Sequence, residues 1–147
     1  MTNLIDTTLL KSISYLNGKW SLETEHKTMV TNPATGEVIT ELSLSSEEDA
    51  KTVINAANEA FLQWKETSVK TRFELLKKWF DLIIENKEDL ATLMTLEQGK
   101  PIEESLGEVN YGASYVEWFA EEAKRIYGDT INLSSPNTHG VVIRQPI

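Results

Sequence analysis

Residues 45–65 read SSEEDAKTVINAANEAFLQWK, and here the apolar period changes. Ala50, Val53, Ile54, Ala57, Ala60, Phe61 and Trp64 recur at three- and four-residue intervals, which gathers them on one face of a helix. Ser45 stands three residues before Glu48, the spacing of a capping box. Before this stretch the pattern is that of strands, and after it the pattern is helical. Strands followed by a run of helices indicate α+β organisation, or a piece of a larger α/β protein.

Toward the N-terminus, SISYLNGKW places Asn17-Gly18 between two short stretches, the strongest short-range hairpin signal. MVTNPATGEVITEL repeats the idea, with Pro33, Thr35 and Gly36 in the turn. Toward the C-terminus, a second helix starts near Ser68 with Val69, Phe73, Leu76, Trp79, Phe80 and Ile83 inward, and pauses at Asn86-Lys87. A third carries Leu90, Leu93 and Met94 inward and stops at Gly99, a left-handed cap, before Pro101. The fourth spans about Ile102 to Tyr127, its packed side marked by Leu106, Val109, Ala113, Val116, Phe119, Ala120 and Ala123, with Gly128 as cap. Gly107 and Gly112 inside it suggest a neighbouring backbone at close quarters. Two strands near 130–133 and 140–145 finish the chain.

Composition narrows the chemistry. The 147 residues carry 14 basic and 23 acidic side chains, a net charge of −9. Such a surface is poorly suited to nucleic acid or to an anionic membrane. There is no cysteine, so neither a disulfide nor a thiolate nucleophile exists in this chain. The opening residues lack the basic end and apolar run of a secretion signal, and no stretch has a membrane-spanning length of apolar residues; the expectation is cytoplasmic.

No glycine-rich phosphate loop is present, and His26 and His139 show no metal-ligand spacing. Glu103, Glu104 and Glu108 near a helix start fit favourable dipole interactions better than a cation site. No catalytic, cofactor-binding or metal residue is therefore assigned. Tyr111, Tyr115 and Trp118 form an aromatic row that fits core more often than a pocket wall. The last strand has an edge able to pair with another chain.

YLNGKW followed by TNPATGEVI, then the 45–83 helices, LATLMTLEQGKP and GEVNYGASYVEWFAEEAKRIYGDTI resemble the aldehyde dehydrogenase superfamily. The last run is most similar to its succinate-semialdehyde dehydrogenase branch. The likeness runs from about Ser14 to the terminal VIRQPI, a strand that in the family leads into the cofactor-binding sheet. It implies an α/β fold of that family, of which this chain is roughly the first third. The chain itself would be an α+β piece of β-hairpins, a four-helix region and a C-terminal β-hairpin. Residues 1–147 would be the N-terminal part of the cofactor-binding domain, with 129–147 an oligomerisation-type hairpin. The resemblance places the family's cysteine, glutamate, asparagine and cofactor lysine beyond residue 147. It implies NAD or NADP for the full-length enzyme, none for this chain alone, and oxidation of a small semialdehyde only in the complete protein. It also makes Tyr111 and Tyr115 substrate-tunnel wall, and Val141, Val142 and Ile143 a homo-oligomer contact through edge strands. The competing reading is a stand-alone interaction module that pairs through its terminal strand.

Overall fold

A computed structural model describes residues 4–20 and 24–147. The N-terminal stretch read for a secretion signal begins with Met1–Asn3, which lie outside them. Three antiparallel hairpins and four helices follow one another: β1 (Tyr15–Leu16), β2 (Lys19–Trp20), β3 (Lys27–Thr31), β4 (Val38–Ser43), α1 (Glu47–Trp64), α2 (Val69–Glu85), α3 (Lys87–Gln98), α4 (Ile102–Glu122), β5 (Asp129–Asn132) and β6 (His139–Val142). The expected order of hairpins, four helices and hairpin holds.

Local chemistry explains most boundaries. Asn17 and Gly18 both take positive φ, 46° and 81°, and bring Leu16 opposite Lys19. In the second hairpin the Asn32 side chain accepts from the Ala34 N–H at 2.9 Å, and the Gly36 N–H donates to the Asn32 carbonyl at 2.7 Å. The box that starts α1 sits one residue later than expected. Ser46 and Asp49, not Ser45 and Glu48, exchange the bonds: the Asp49 carboxylate accepts the Ser46 N–H at 2.7 Å and Ser46 Oγ accepts the Asp49 N–H at 3.2 Å. The Ser46 backbone N–H, then its hydroxyl, hold the Asp49 carboxyl below the usual carboxylate range. Ser68 caps α2 by accepting the Thr71 N–H at 3.0 Å. α2 and α3 part at the single residue Asn86, whose amide donates to the Leu82 carbonyl at 2.8 Å.

The core lies where α4 crosses α2 and α3. Ala91 and Leu93 of α3 and Val109, Ala113 and Ala120 of α4 are its buried apolar residues. Ser105, fully buried, shares a 2.8 Å hydroxyl bond with Thr95 of α3. Small side chains on α4 let the helices approach closely. Lys77 of α2 bonds Asp81 at 2.9 Å and reaches Glu117 of α4 at 3.7 Å, and Lys124 Nζ stands 3.4 Å over the Phe73 ring.

Several expectations fail. α4 ends at Glu122 and a short 3-10 turn follows, so Gly128 is not its cap. A Cβ on Gly128 would instead meet the Val142 carbonyl, so the glycine permits the hairpin to return past it. Gly107 and Gly112 have no close neighbour among the described residues; a Cβ there would find nothing within 4 Å. Gly112→Ala is accordingly expected to stabilise the chain by about 0.5–1 kcal/mol, read as a higher urea midpoint. The apolar side of α1 is largely exposed, with only Phe61 among its expected inward residues half-buried. Trp79 and Val69 of α2 and Phe119 of α4 are also exposed.

Candidate functional site

An open groove of about 750 Å³ runs along α4 and the turn after it. Tyr111, Tyr115, Trp118 and Phe119 form its aromatic wall, and Glu117, Glu121, Glu122 and Arg125 its charged part. The aromatic row is thus surface, not core. At 100° per residue it sits about 180–240° around α4 from Val109, on the side opposite the buried stripe.

Tyr111 and Tyr115 are one helical turn apart and touch edge to face, with ring centroids 5.0 Å apart and planes at 86°. Their hydroxyls share a 2.7 Å hydrogen bond. That bond, and then desolvation, raise the Tyr115 phenol above its ordinary range. The fold thereby favours the protonated form. Its contribution is complete below the ordinary phenol range and is lost as pH climbs through the raised value. Tyr111→Phe is expected to return the Tyr115 midpoint toward that of free tyrosine in an ultraviolet titration of the phenolate; an unmoved midpoint would contradict the pairing. The Ser114 hydroxyl donates to the Tyr111 carbonyl at 2.7 Å and so is engaged by its own helix.

The charged part of the groove is largely self-paired. Arg125 bonds Glu122 at 2.8 Å, and Lys124 bonds both oxygens of Glu121 at 3.0 and 3.1 Å. Three carboxylates against one engaged guanidinium give the groove no ready seat for an anion. Its aromatic faces and paired hydroxyls suit a small, weakly polar guest. Extending the 111/115/118 row by one turn to Glu121 and Glu122 would have found this acidic wall from sequence.

The other predicted positions lie apart. Val141 and Val142 pair with Thr130 and Asp129 in the last hairpin, and Ile143 follows the strand; all three are exposed. The outer edges of this two-stranded sheet have no strand partner among the described residues. His139 is in β6 and His26 precedes β3. Glu108 is tied to Lys100 in an ion pair, and no group of three or more metal-ligating side chains forms among the described residues.

Residues 20–147 match the model of the aldehyde dehydrogenase family. Over 145 residues the chain is 48% identical to the glutarate-semialdehyde dehydrogenase of Pseudomonas putida, covering 98% of this chain and 30% of that protein. It is 43% identical to the NADP(+) succinate-semialdehyde dehydrogenase of Escherichia coli, again over 98% of this chain and 30% of the relative. A crystal structure of an aldehyde dehydrogenase from Brucella melitensis superposes with a TM-score of 0.95 at 48% identity, over 99% of this chain and 30% of that one. The chain thus spans about 30% of the length of these relatives. With its hairpins, four helices and terminal ribbon arranged as in that structure, the chain belongs to the aldehyde dehydrogenase family.

Proposed function

We propose that this chain is the N-terminal portion of an NAD(P)-dependent semialdehyde dehydrogenase, with succinate semialdehyde or a close homologue as substrate. The observation that carries the reading is sequence identity to semialdehyde dehydrogenases through nearly the whole chain. In this reading Tyr111 and Tyr115 line the approach to a substrate site completed by other residues. The β5–β6 ribbon, with Val141, Val142 and Ile143, supplies an edge for subunit pairing, and residues 1–147 form the first part of the cofactor-binding domain. Such an enzyme would work in the cytoplasm. A stand-alone interaction module is the less favoured reading, because the family match runs through the same residues.

The residues of this chain do not by themselves fit a dinucleotide. The N-termini of α1 and α2 are occupied by their own serine caps, and α4 opens with Glu103 and Glu104, which repel phosphate. No reaction step is therefore assigned to these residues. What they offer is an aromatic wall, its two bonded hydroxyls and a helical scaffold behind it.

The chain alone is expected to be inactive, because it has no cysteine to form the thiohemiacetal that precedes hydride transfer in the family. Incubation with NAD or NADP and succinate semialdehyde should give no increase in the ultraviolet absorbance of reduced nicotinamide. Turnover by the chain alone would overthrow this part of the reading.

A further inference from the structure

Lys100 stands between the α3 cap Gly99 and Pro101, where α3 gives way to α4. Among the salt-bridged cations of the described residues it is the most enclosed. Its side chain is 14% exposed, against 40% or more for each of the others. Its Nζ is closed to water, and the Glu108 carboxylate is its ion-pair partner; no further acceptor bonds it among the described residues. Withdrawing an ammonium from water is costly, so a pair placed like this adds little net stability. What it does is select one arrangement of the groups it joins. The partner's situation shows which arrangement that is. The Glu108 side chain is 58% exposed, with water at hand, yet its carboxylate is drawn back to the start of α4.

Released, Glu108 would have a different neighbour. It precedes Tyr111 by three residues, which sets the two side by side on α4 with Cβ atoms about 5–6 Å apart. Gly107 next to it carries no side chain, and a Cβ there would meet nothing within 4 Å, so the way is clear. Tyr111 ends the aromatic wall of the groove, whose lining already holds Glu117, Glu121 and Glu122 with Arg125 as its one cation. Glu108 is not in that lining. A fourth carboxylate beside Tyr111 would oppose any guest that is itself an anion, as a semialdehyde acid is. The geometry points to Lys100 as a positioning residue that holds the Glu108 carboxylate away from Tyr111 and so keeps the groove open to anionic aldehydes. Lys100 acts through Glu108 and touches no substrate. The inference rests on the reading of the groove as the approach to a semialdehyde site.

Steady-state kinetics on an enzyme of family length that carries this chain as its N-terminal portion give the first reading. Lys100→Met should raise KM for succinate semialdehyde about fivefold, the effect of one partly screened charge near the substrate. KM for butanal, a neutral aldehyde of the same chain length, and KM for the dinucleotide should stay in place. Adding Glu108→Gln to Lys100→Met should restore the parental KM, and Glu108→Gln alone should leave it unchanged. A residue that merely supports the fold would move both aldehydes alike and would not be rescued by the second substitution; either result overturns the proposal. Ultraviolet titration of the isolated chain gives a reading that needs no catalysis. Lys100→Met should move the midpoint of the paired phenols upward, because a neighbouring carboxylate opposes the phenolate, and the double variant should return it. An unmoved midpoint also overturns the proposal. Lys100→Gln carries the same expectations should the methionine variant not fold, and if neither folds, Lys100 is structural and the proposal falls. Turnover with no change in the ratio of the two aldehyde KM values sinks the role of Lys100 alone. A shifted phenol midpoint in an enzyme that oxidises no semialdehyde sinks the assigned activity alone.

Discussion

Asp89→Ala is expected to free the N-terminal segment from α3 and to lower stability by about 3 kcal/mol. Asp89 is 5% exposed, and both of its carboxylate oxygens are used. Oδ1 accepts the Ile5 N–H at 2.8 Å and Oδ2 the Asp6 N–H at 2.7 Å, across more than eighty residues of sequence. Bonds to a charged acceptor contribute about 1.5–3 kcal/mol each. Ile5 is largely exposed, so water compensates part of the loss and the sum stays near the lower end. The Asp6 carboxylate turns back to accept the Thr8 N–H at 2.9 Å and so caps the short 3-10 turn at Thr7–Leu9. The measurement is a urea melt with amide exchange at Ile5 and Asp6. Both amides should exchange at open-chain rates in the variant, and Asp89→Asn, which retains one oxygen acceptor, should fall between. A melt indistinguishable from the parent would show that the latch is ornamental.

Gly99→Val should cost about 3–4 kcal/mol and, with so few buried apolar residues to draw on, leave much of the chain unfolded at room temperature. Two independent penalties combine. Gly99 closes α3 at φ 70° and ψ 16°, its N–H donating to the Thr95 carbonyl at 2.8 Å, a backbone conformation that costs a side-chain-bearing residue about 1–2 kcal/mol. Added to this, a Cβ there would lie 2.9 Å from Pro33 Cγ and 3.4 Å from the Ala34 nitrogen. The tip of the β3–β4 turn would have to withdraw from the end of α3. Gly99→Ala meets the same contacts without the β-branch and should be milder. Circular dichroism on heating distinguishes the cases, and a Gly99→Val melt matching the parent would refute both penalties.

What sequence made legible is what short-range chemistry decides. Asn17-Gly18, Ser68 and Gly99 act through bonds and dihedrals within a few residues, and each lies where its pattern placed it. The α1 cap slipped by one because two serines and three acids stand side by side, and only geometry selects Ser46 with Asp49. Helical period identified the apolar side of α1 correctly but could not say whether anything meets it. On α4 apolar residues occupy opposite sides, so the period alone could not rank Ala113 above Phe119; the approach of α2 and α3 does. Tyr111 and Tyr115 were placed together by spacing, yet their position on the open side follows from the same packing. Asp89 left no trace, because its partners are backbone groups far away in the chain.

The tryptophans carry a practical consequence. Trp20, Trp64, Trp79 and Trp118 are every indole in the sequence, and each is at least 41% exposed. Their emission should already be red-shifted toward that of solvated indole in the native state, with little left to shift on denaturation. Fluorescence would then trace a nearly flat line while the backbone melts, and the same property would make a blue shift a sensitive reporter of whatever comes to cover them.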